Sequence, residues 1–137
     1  MDILHELFYW IGTELGLVLA DEWHCGHLPA EGSGPMAVLL ERGGSSDKPI
    51  LRGSVGELMF QILTVGGIGS SYFATRALAH RIHELLRDRA GVQLADHTVW
   101  VIEAVSEPQF LGGDERFRYE ISANYAVRGI TDAAWGY

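Results

Sequence analysis

The hydrophobic pattern at the start of the chain predicts an amphipathic helix from about Asp2 to Val18. Apolar residues recur there at every third or fourth position, which is the spacing of a helix face that packs against a core. Gly12 and Gly16 interrupt the pattern, and each weakens an isolated helix by roughly 1 kcal/mol relative to Ala. We therefore expect this helix to depend on tertiary packing or on a partner.

A second helical pattern begins after Ser70 or Ser71, either of which can cap it, and ends near Gly91. Its apolar face consists of Ala74, Leu78, Ile82, Leu85 and Leu86. The opposite face carries a row of side chains at helical spacing, which we name the basic ridge: Arg76, His80, His83 and Arg87. Such a strip is suited to the acidic surface of an identical neighbour, and a solvated helix face is the simpler interpretation.

Four segments have the patterns of β-strands. Residues 36–41 form a short apolar run, and residues 116–128 alternate strictly between an apolar and a polar face. Residues 58–65 and 98–105 are apolar on both faces, as is typical of strands that are covered on both sides. Tyr119 and Tyr125 are assigned to the core face of the last strand.

Together these elements predict an α+β fold in which a mainly antiparallel four-stranded sheet packs with two helices, in the order α-β-β-α-β-β. A chain of 137 residues, 47% of them hydrophobic, fits one domain that spans residues 1–137. Two segments rich in Gly and Pro, at about 20–35 and 43–56, are predicted to be long loops. Connections of that length are usually functional or mobile, so a partner surface is their natural use.

The segment before the last strand adds a more specific signal. It reads Pro108-Gln-Phe-Leu-Gly-Gly-Asp-Glu115, a tight turn, and the strand then continues through Arg118-Tyr-Glu-Ile-Ser-Ala-Asn-Tyr125. This combination resembles the C-terminal signature of the tail terminators, a family of minor structural (neck) proteins of tailed bacteriophages. A looser resemblance continues upstream through Pro35 to Glu41 and the strand at 58–65.

The resemblance implies an assembly part and not an enzyme, and no cofactor. Similar proteins form a ring of six subunits that caps the tail tube, stops its polymerisation and docks to the head connector. The implied partners are copies of the chain itself, the tail-tube protein and head-connector or neck proteins, with DNA only passing through the lumen and no membrane contact. The implied location is the tail or neck of the virion, and the host cytoplasm during assembly.

The sequence offers several candidate assembly residues beyond the basic ridge. Asp114 and Glu115 lie in the predicted turn, and Asn124 lies on the polar face of the last strand. Trp135 and Tyr137 end the chain, where aromatic side chains either anchor a contact or fold back onto the sheet. The complete candidate interface is Arg76, His80, His83, Arg87, Asp114, Glu115, Asn124, Trp135 and Tyr137.

Composition narrows the classes of partner. With 18 acidic and 10 basic residues, the net charge of −8 disfavours binding to nucleic-acid phosphates, and an acidic lumen would repel passing DNA. The single Cys25 cannot form an internal disulfide and fits a reducing compartment such as a bacterial cytoplasm. The sequence contains no secretion signal and no apolar run of about 18 residues, so a soluble protein is expected.

Three alternative chemistries receive weaker support. Gly67-Ile-Gly69 follows a strand and precedes a helix, as in a nucleotide-binding turn, but Tyr72 stands where such a motif has its third Gly. His24, Cys25 and His27 supply one arm of a metal site without a visible return arm. Catalysis by Cys25 with a neighbouring His, or by Asp114 and Glu115, lacks any sign of rigid placement. The remaining alternatives are another neck component, a head-closure or tail-completion protein, and, with weaker support, a small-ligand or nucleotide-binding domain.

Overall fold

A computed structural model of the chain describes residues 2–19, 21–28, 34–42, 48–50, 53–66, 71–113 and 119–132. These residues form two helices and eight strands, with the strands β1 to β4 between the helices and β5 to β8 after them. The helices are α1 (Ile3–Leu15) and α2 (Tyr72–Leu86). The strands are β1 (Trp23–Cys25), β2 (Met36–Glu41), β3 (Lys48–Ile50), β4 (Gly53–Val65), β5 (Arg89–Gln93), β6 (His97–Ala104), β7 (Gln109–Gly113) and β8 (Tyr119–Asp132).

The predicted four-stranded sheet and its element order are wrong. Six strands follow the order β1-β2-β4-β8-β6-β5, while β3 pairs with β4 and β7 pairs with β8. The four strands that the sequence pattern did not reveal are short, and β1 and β3 contain only three residues each. Strands of this length are too short to show a period, and they are held by pairing with longer neighbours. Both segments predicted to be long loops thus contain a short strand.

The strand β8 forms the centre of the sheet. It pairs antiparallel with β4 along one edge, and with β7 and then β6 along the other. The predicted core face is confirmed at Tyr125, which is fully buried, whereas Tyr119 is exposed. Tyr119 is exposed because it begins the strand, where β8 pairs with the edge strand β7 and not with β6.

Both helices pack against the same face of the sheet. Buried residues of α1 and α2 form one cluster with alternate residues of the central strands, which include Phe60, Ile62, Ala123, Tyr125 and Val127. The other sheet face is less covered, since Met59 and Arg128 are both exposed there. Arg128 donates a hydrogen bond of 2.8 Å to Glu103 and lies 3.5 Å from Glu57, so this face carries an ion-paired strip across β4, β8 and β6.

The first helix begins and ends at residues suited to those positions. The Asp2 side chain accepts a hydrogen bond from the Leu4 amide at 3.2 Å, and Gly16 ends the helix in the left-handed conformation with φ of 65°. Gly12 permits close packing, because a Cβ at this position would lie 3.0 Å from the ring of Trp23. The Trp23 indole also donates a hydrogen bond of 2.8 Å to the Phe8 carbonyl, which fixes β1 against α1.

The second helix ends before the predicted position near Gly91. Ser71 caps its start and the helix ends at Leu86, after which Asp88 adopts a positive φ of 49° and the chain enters β5. The strand pairs antiparallel with β6 and exposes most of its residues, with only Val92 buried. A segment with one buried position has no strand pattern, which explains why the sequence favoured a longer helix.

A bulge at Gly129 shapes the middle of the sheet. Gly56 of β4 pairs with Ile130 and Glu57 pairs with Arg128, so Gly129 is the extra residue of β8, with φ of 72°. The half-exposed indole of Trp100 on β6 covers Gly129, and a Cβ at that position would lie only 2.3 Å from the ring. Glycine is therefore required here for both backbone conformation and space.

We predict that Gly129→Ala destabilises the fold by roughly 3 kcal/mol or more, because it combines an unfavourable φ with a clash against Trp100. Gly91→Ala is the matched control, since Gly91 also has a positive φ of 67° but nothing within 4 Å of an added Cβ. It should cost only about 1 kcal/mol. Urea denaturation measures the loss of stability in both glycine variants. In a Trp100→Gly background, which removes both the ring and the Cβ that would lie 2.6 Å from the new methyl group, most of the difference should disappear. Equal costs in the two glycine variants would contradict the packing explanation.

Candidate assembly surface

The exposed side of α2 keeps three members of the basic ridge. Arg76 and Arg87 are exposed and His80 is half-buried, so these side chains remain accessible along the helix. Arg87 lies 3.7 Å from Glu84 on the same helix, which is a weak surface pair. The ridge therefore presents two exposed guanidinium groups, and Glu84 of the same helix partly neutralises one of them.

The prediction that His83 belongs to this exposed strip is wrong. Only 1% of His83 is exposed, because the buried face of α2 consists of Thr75, Leu78, Ala79, Ile82, His83 and Leu86. Compared with the predicted apolar stripe, the buried face is rotated about the helix axis towards His83. Leu85 lies at the other edge of this face and is therefore only half-buried. An amphipathic imidazole tolerates this position because it can make hydrogen bonds inside the protein.

The buried imidazole connects α2 to two other elements. Its Nδ1 atom lies 2.9 Å from the Tyr125 hydroxyl on β8, within hydrogen-bond distance. Its Nε2 atom lies 2.9 Å from a carboxylate oxygen of Glu107, although the angles do not satisfy hydrogen-bond geometry among the described residues. Burial and, to a lesser degree, the Glu107 charge raise the pKa of the Tyr125 hydroxyl.

Of the five remaining predicted interface residues, one lies within the described ranges and four lie outside them. Asn124 is half-buried on β8, where its backbone and side chain contact the Ser106 hydroxyl at 3.1 Å and 3.4 Å. It therefore anchors the β6–β7 connection, and an additional assembly role stays a prediction. Four predicted residues lie outside the described ranges: Asp114, Glu115, Trp135 and Tyr137.

An exposed aromatic cluster, which the sequence analysis did not identify, lies where the start of α2 meets β7 and β8. The ring of Tyr72 packs edge-on against Phe73, Phe110 and Tyr119, with centroids 5.4 to 5.7 Å apart. Phe73 is 78% exposed, and Leu111, the residue after Phe110 on β7, is also exposed. We name this group the aromatic surface: Tyr72, Phe73, Phe110, Leu111 and Tyr119.

The alternative chemistries gain no geometric support. His24 lies in β1 with its Nε2 atom 3.2 Å from the Asp21 carbonyl, and burial raises the pKa of the nearby Cys25 thiol. Within the part of the chain that the structure describes, no three metal-ligating side chains come together. The Gly67–Gly69 corner lies outside that part. Among the described helices, none is both long and apolar enough to cross a membrane.

Comparisons with known proteins give one informative result. Neither a protein-family model nor a curated protein sequence matches the chain. A solved structure described as the virion of a native gene transfer agent particle contains a chain with a TM-score of 0.68 at 12% identity. The match covers 94% of this chain and 95% of that one, so the two share a fold over nearly their whole lengths. A second solved structure has 17% identity and covers 90% of this chain and 88% of its own, but its TM-score of 0.49 adds nothing to the fold assignment.

We predict that the stabilising effect of the Tyr125 hydroxyl disappears in alkali. At neutral pH, Tyr125→Phe should cost roughly 1–2 kcal/mol, because it removes a buried hydrogen bond to His83. Above the ordinary tyrosine pKa of about 10, the unfolded chain loses this proton while the native state retains it, so wild-type stability falls by up to about 1.4 kcal/mol per pH unit. The stability difference between wild type and Tyr125→Phe should therefore shrink between pH 9 and 11.

Urea denaturation at each pH measures that difference, and subtraction cancels the other tyrosines because both proteins contain them. A difference that is constant from pH 7 to 11 would show that the raised pKa of Tyr125 does not contribute to stability.

Proposed function

We propose that this protein is a structural component of a virion, and that it acts as a tail terminator. In this role, copies of the chain form a ring that caps the tail tube, stops its polymerisation and provides the joint to the head. The proposed partners are other copies of the chain, the tail-tube protein and a neck protein of the head connector. The role is structural and requires no catalytic group or cofactor.

The observation that carries the proposal is the end-to-end match in fold with a chain of a gene transfer agent virion. The match covers 94% of this chain and 95% of that one, so it extends over the whole fold described above and not over a single motif. A shared fold alone does not define a function. The sequence resemblance and the surface of the molecule support the proposed role further.

The sequence resemblance falls on one structural unit. Within the segment that resembles the tail-terminator signature, residues 109–113 and 119–125 belong to the antiparallel pair β7 and β8. This pair supplies Phe110, Leu111 and Tyr119 to the aromatic surface. A resemblance concentrated on an exposed aromatic hairpin supports a role in contacts with other subunits, because buried aromatic side chains dominate protein interfaces.

The charge of the chain also fits a ring around a DNA channel. A net charge of −8 repels the phosphate backbone, so DNA would pass without adhering to the protein. The accessible members of the basic ridge, Arg76, His80 and Arg87, then remain for contacts with acidic protein surfaces, and we propose that they take part in assembly.

Electron microscopy of purified protein mixed with tail tubes tests this function. We expect density at one end of each tube and an arrest of further polymerisation. The double variant Arg76→Glu with Arg87→Glu should fold normally, since both side chains are exposed, but should cap fewer tubes because like charges across an interface are repulsive. Raising the salt concentration should weaken wild-type capping in parallel, because exposed charges are screened over about 8 Å at physiological ionic strength.

A protein that leaves the tube ends bare but binds the head connector would be a different neck component. A protein that binds neither would contradict the virion role altogether. Equal capping by wild type and the double variant would leave the proposed tail-terminator function standing. It would also show that the basic ridge is a solvated helix face without a role in assembly.

A further inference from the structure

The aromatic surface has the composition of an interface that lacks its partner. Phe73 is 78% exposed at the second position of α2, and Phe110 and Leu111 are about half-exposed on β7. Arg76 and His80 follow Phe73 along the same side of the helix. A cluster of exposed aromatic side chains bordered by Arg is the typical composition of a protein contact. This side of the molecule is therefore apolar with a basic border.

A second exposed apolar region has the opposite charge. Val18 and Leu19 follow α1, and with Tyr9 they are all about half-exposed. A cavity of about 300 Å³ opens here, and it is lined by Tyr9, Gly12, Thr13, Gly16, Leu17 and Leu19. The Glu22 carboxylate borders the region, where it accepts a hydrogen bond of 3.3 Å from the Val18 amide. Asp21 is exposed beside it, and its amide donates a hydrogen bond of 3.3 Å to the Val18 carbonyl. We name this group the α1 surface: Tyr9, Val18, Leu19, Asp21 and Glu22.

The distribution of charge along the sequence supports this contrast. The first 41 residues contain no Lys or Arg, and their acidic residues are Asp2, Glu6, Glu14, Asp21, Glu22, Glu31 and Glu41. All 10 basic residues therefore lie from Arg42 onwards. One of them, Arg81, donates a hydrogen bond of 2.8 Å to the Leu15 carbonyl at the end of α1. It reduces the negative charge there without reversing it.

We propose that the aromatic surface of one copy of this chain docks against the α1 surface of the next copy. The two surfaces are complementary in three respects: protruding aromatic side chains meet a cavity, apolar area meets apolar area, and a basic border meets an acidic one. Since the two surfaces are different parts of the molecule, the contact is head-to-tail. Repetition of such a contact closes a ring or extends a filament.

This contact deepens the proposed function, and the ring geometry rests on that function. The main competing occupant of the aromatic surface is single-stranded nucleic acid, which also binds exposed aromatic rings bordered by basic side chains. The net charge of −8 opposes that occupant and favours an acidic partner such as a second copy. The experiment distinguishes the two.

The test uses one variant on each surface. Phe73→Asp removes the most exposed aromatic side chain, and an acidic residue in the first turn of a helix is favourable, so α2 should remain folded. Val18→Lys places a positive charge on the α1 surface, where it would oppose Arg76 of a neighbour. Met59→Lys is the matched control, because Met59 is an exposed apolar residue on the sheet face away from both surfaces.

Native mass spectrometry and light scattering over a concentration series give the oligomeric state. Wild type and Met59→Lys should self-associate, and each surface variant alone should dissociate with a dissociation constant raised at least about tenfold. An equimolar mixture of Phe73→Asp and Val18→Lys should associate again, with a 1:1 dimer as its smallest assembly. One intact surface of each kind remains in the mixture, and the dimer leaves only damaged surfaces free.

Three results would overturn the inference: a wild type that stays monomeric, a surface variant that associates as wild type does, or a mixture that stays monomeric. Binding of a fluorescent single-stranded oligonucleotide by wild type, lost in Phe73→Asp but kept in Val18→Lys, would reassign the aromatic surface to nucleic acid. The mixture contains no tail tubes. If the self-association results contradict the contact while wild type still caps tail tubes normally, the contact is rejected and the proposed function stands.

Discussion

The position of α2 on the sheet depends on a buried contact between His83 and Tyr125. The phenol ring of Tyr125 stacks on Phe60 with centroids 5.3 Å apart, and its hydroxyl lies 2.9 Å from the imidazole. A polar pair without solvent is costly unless both partners are satisfied, so this contact permits few alternative positions of the helix. It fixes both the rotation of α2 and its place along β8.

The two surfaces proposed for assembly follow from that placement. With His83 turned inward, Phe73, Arg76 and His80 remain on the accessible side of α2, and Tyr72 reaches Phe110 and Tyr119. The first helix packs beside α2 and presents an acidic apolar region at its end. The molecule therefore combines a rigid core with two different exposed regions, which is the arrangement that head-to-tail assembly requires.

The sequence predicted the long elements well and the short ones poorly. Helical spacing and the caps at Asp2 and Ser71 located α1 and α2, and alternation located β8, because each of these elements has several buried positions. The short strands β1 and β3, and β5 with its single buried Val92, have no such period and depend on their neighbours. His83 was misplaced because helical spacing gives the relative angles of side chains but not how far the buried face extends. The aromatic surface was missed because Tyr72 and Phe110 meet only in the folded chain.

The central proposal is that this chain assembles head-to-tail through the aromatic and α1 surfaces to form a layer at the end of a tail tube. Cryo-electron microscopy of the capped tubes, at a resolution that traces side chains, tests it most directly. The expected result is a closed ring in which Phe73 of each subunit lies against Val18 and Leu19 of the next. A ring in which both surfaces face solvent, or a neck that contains no layer of this fold, would contradict it.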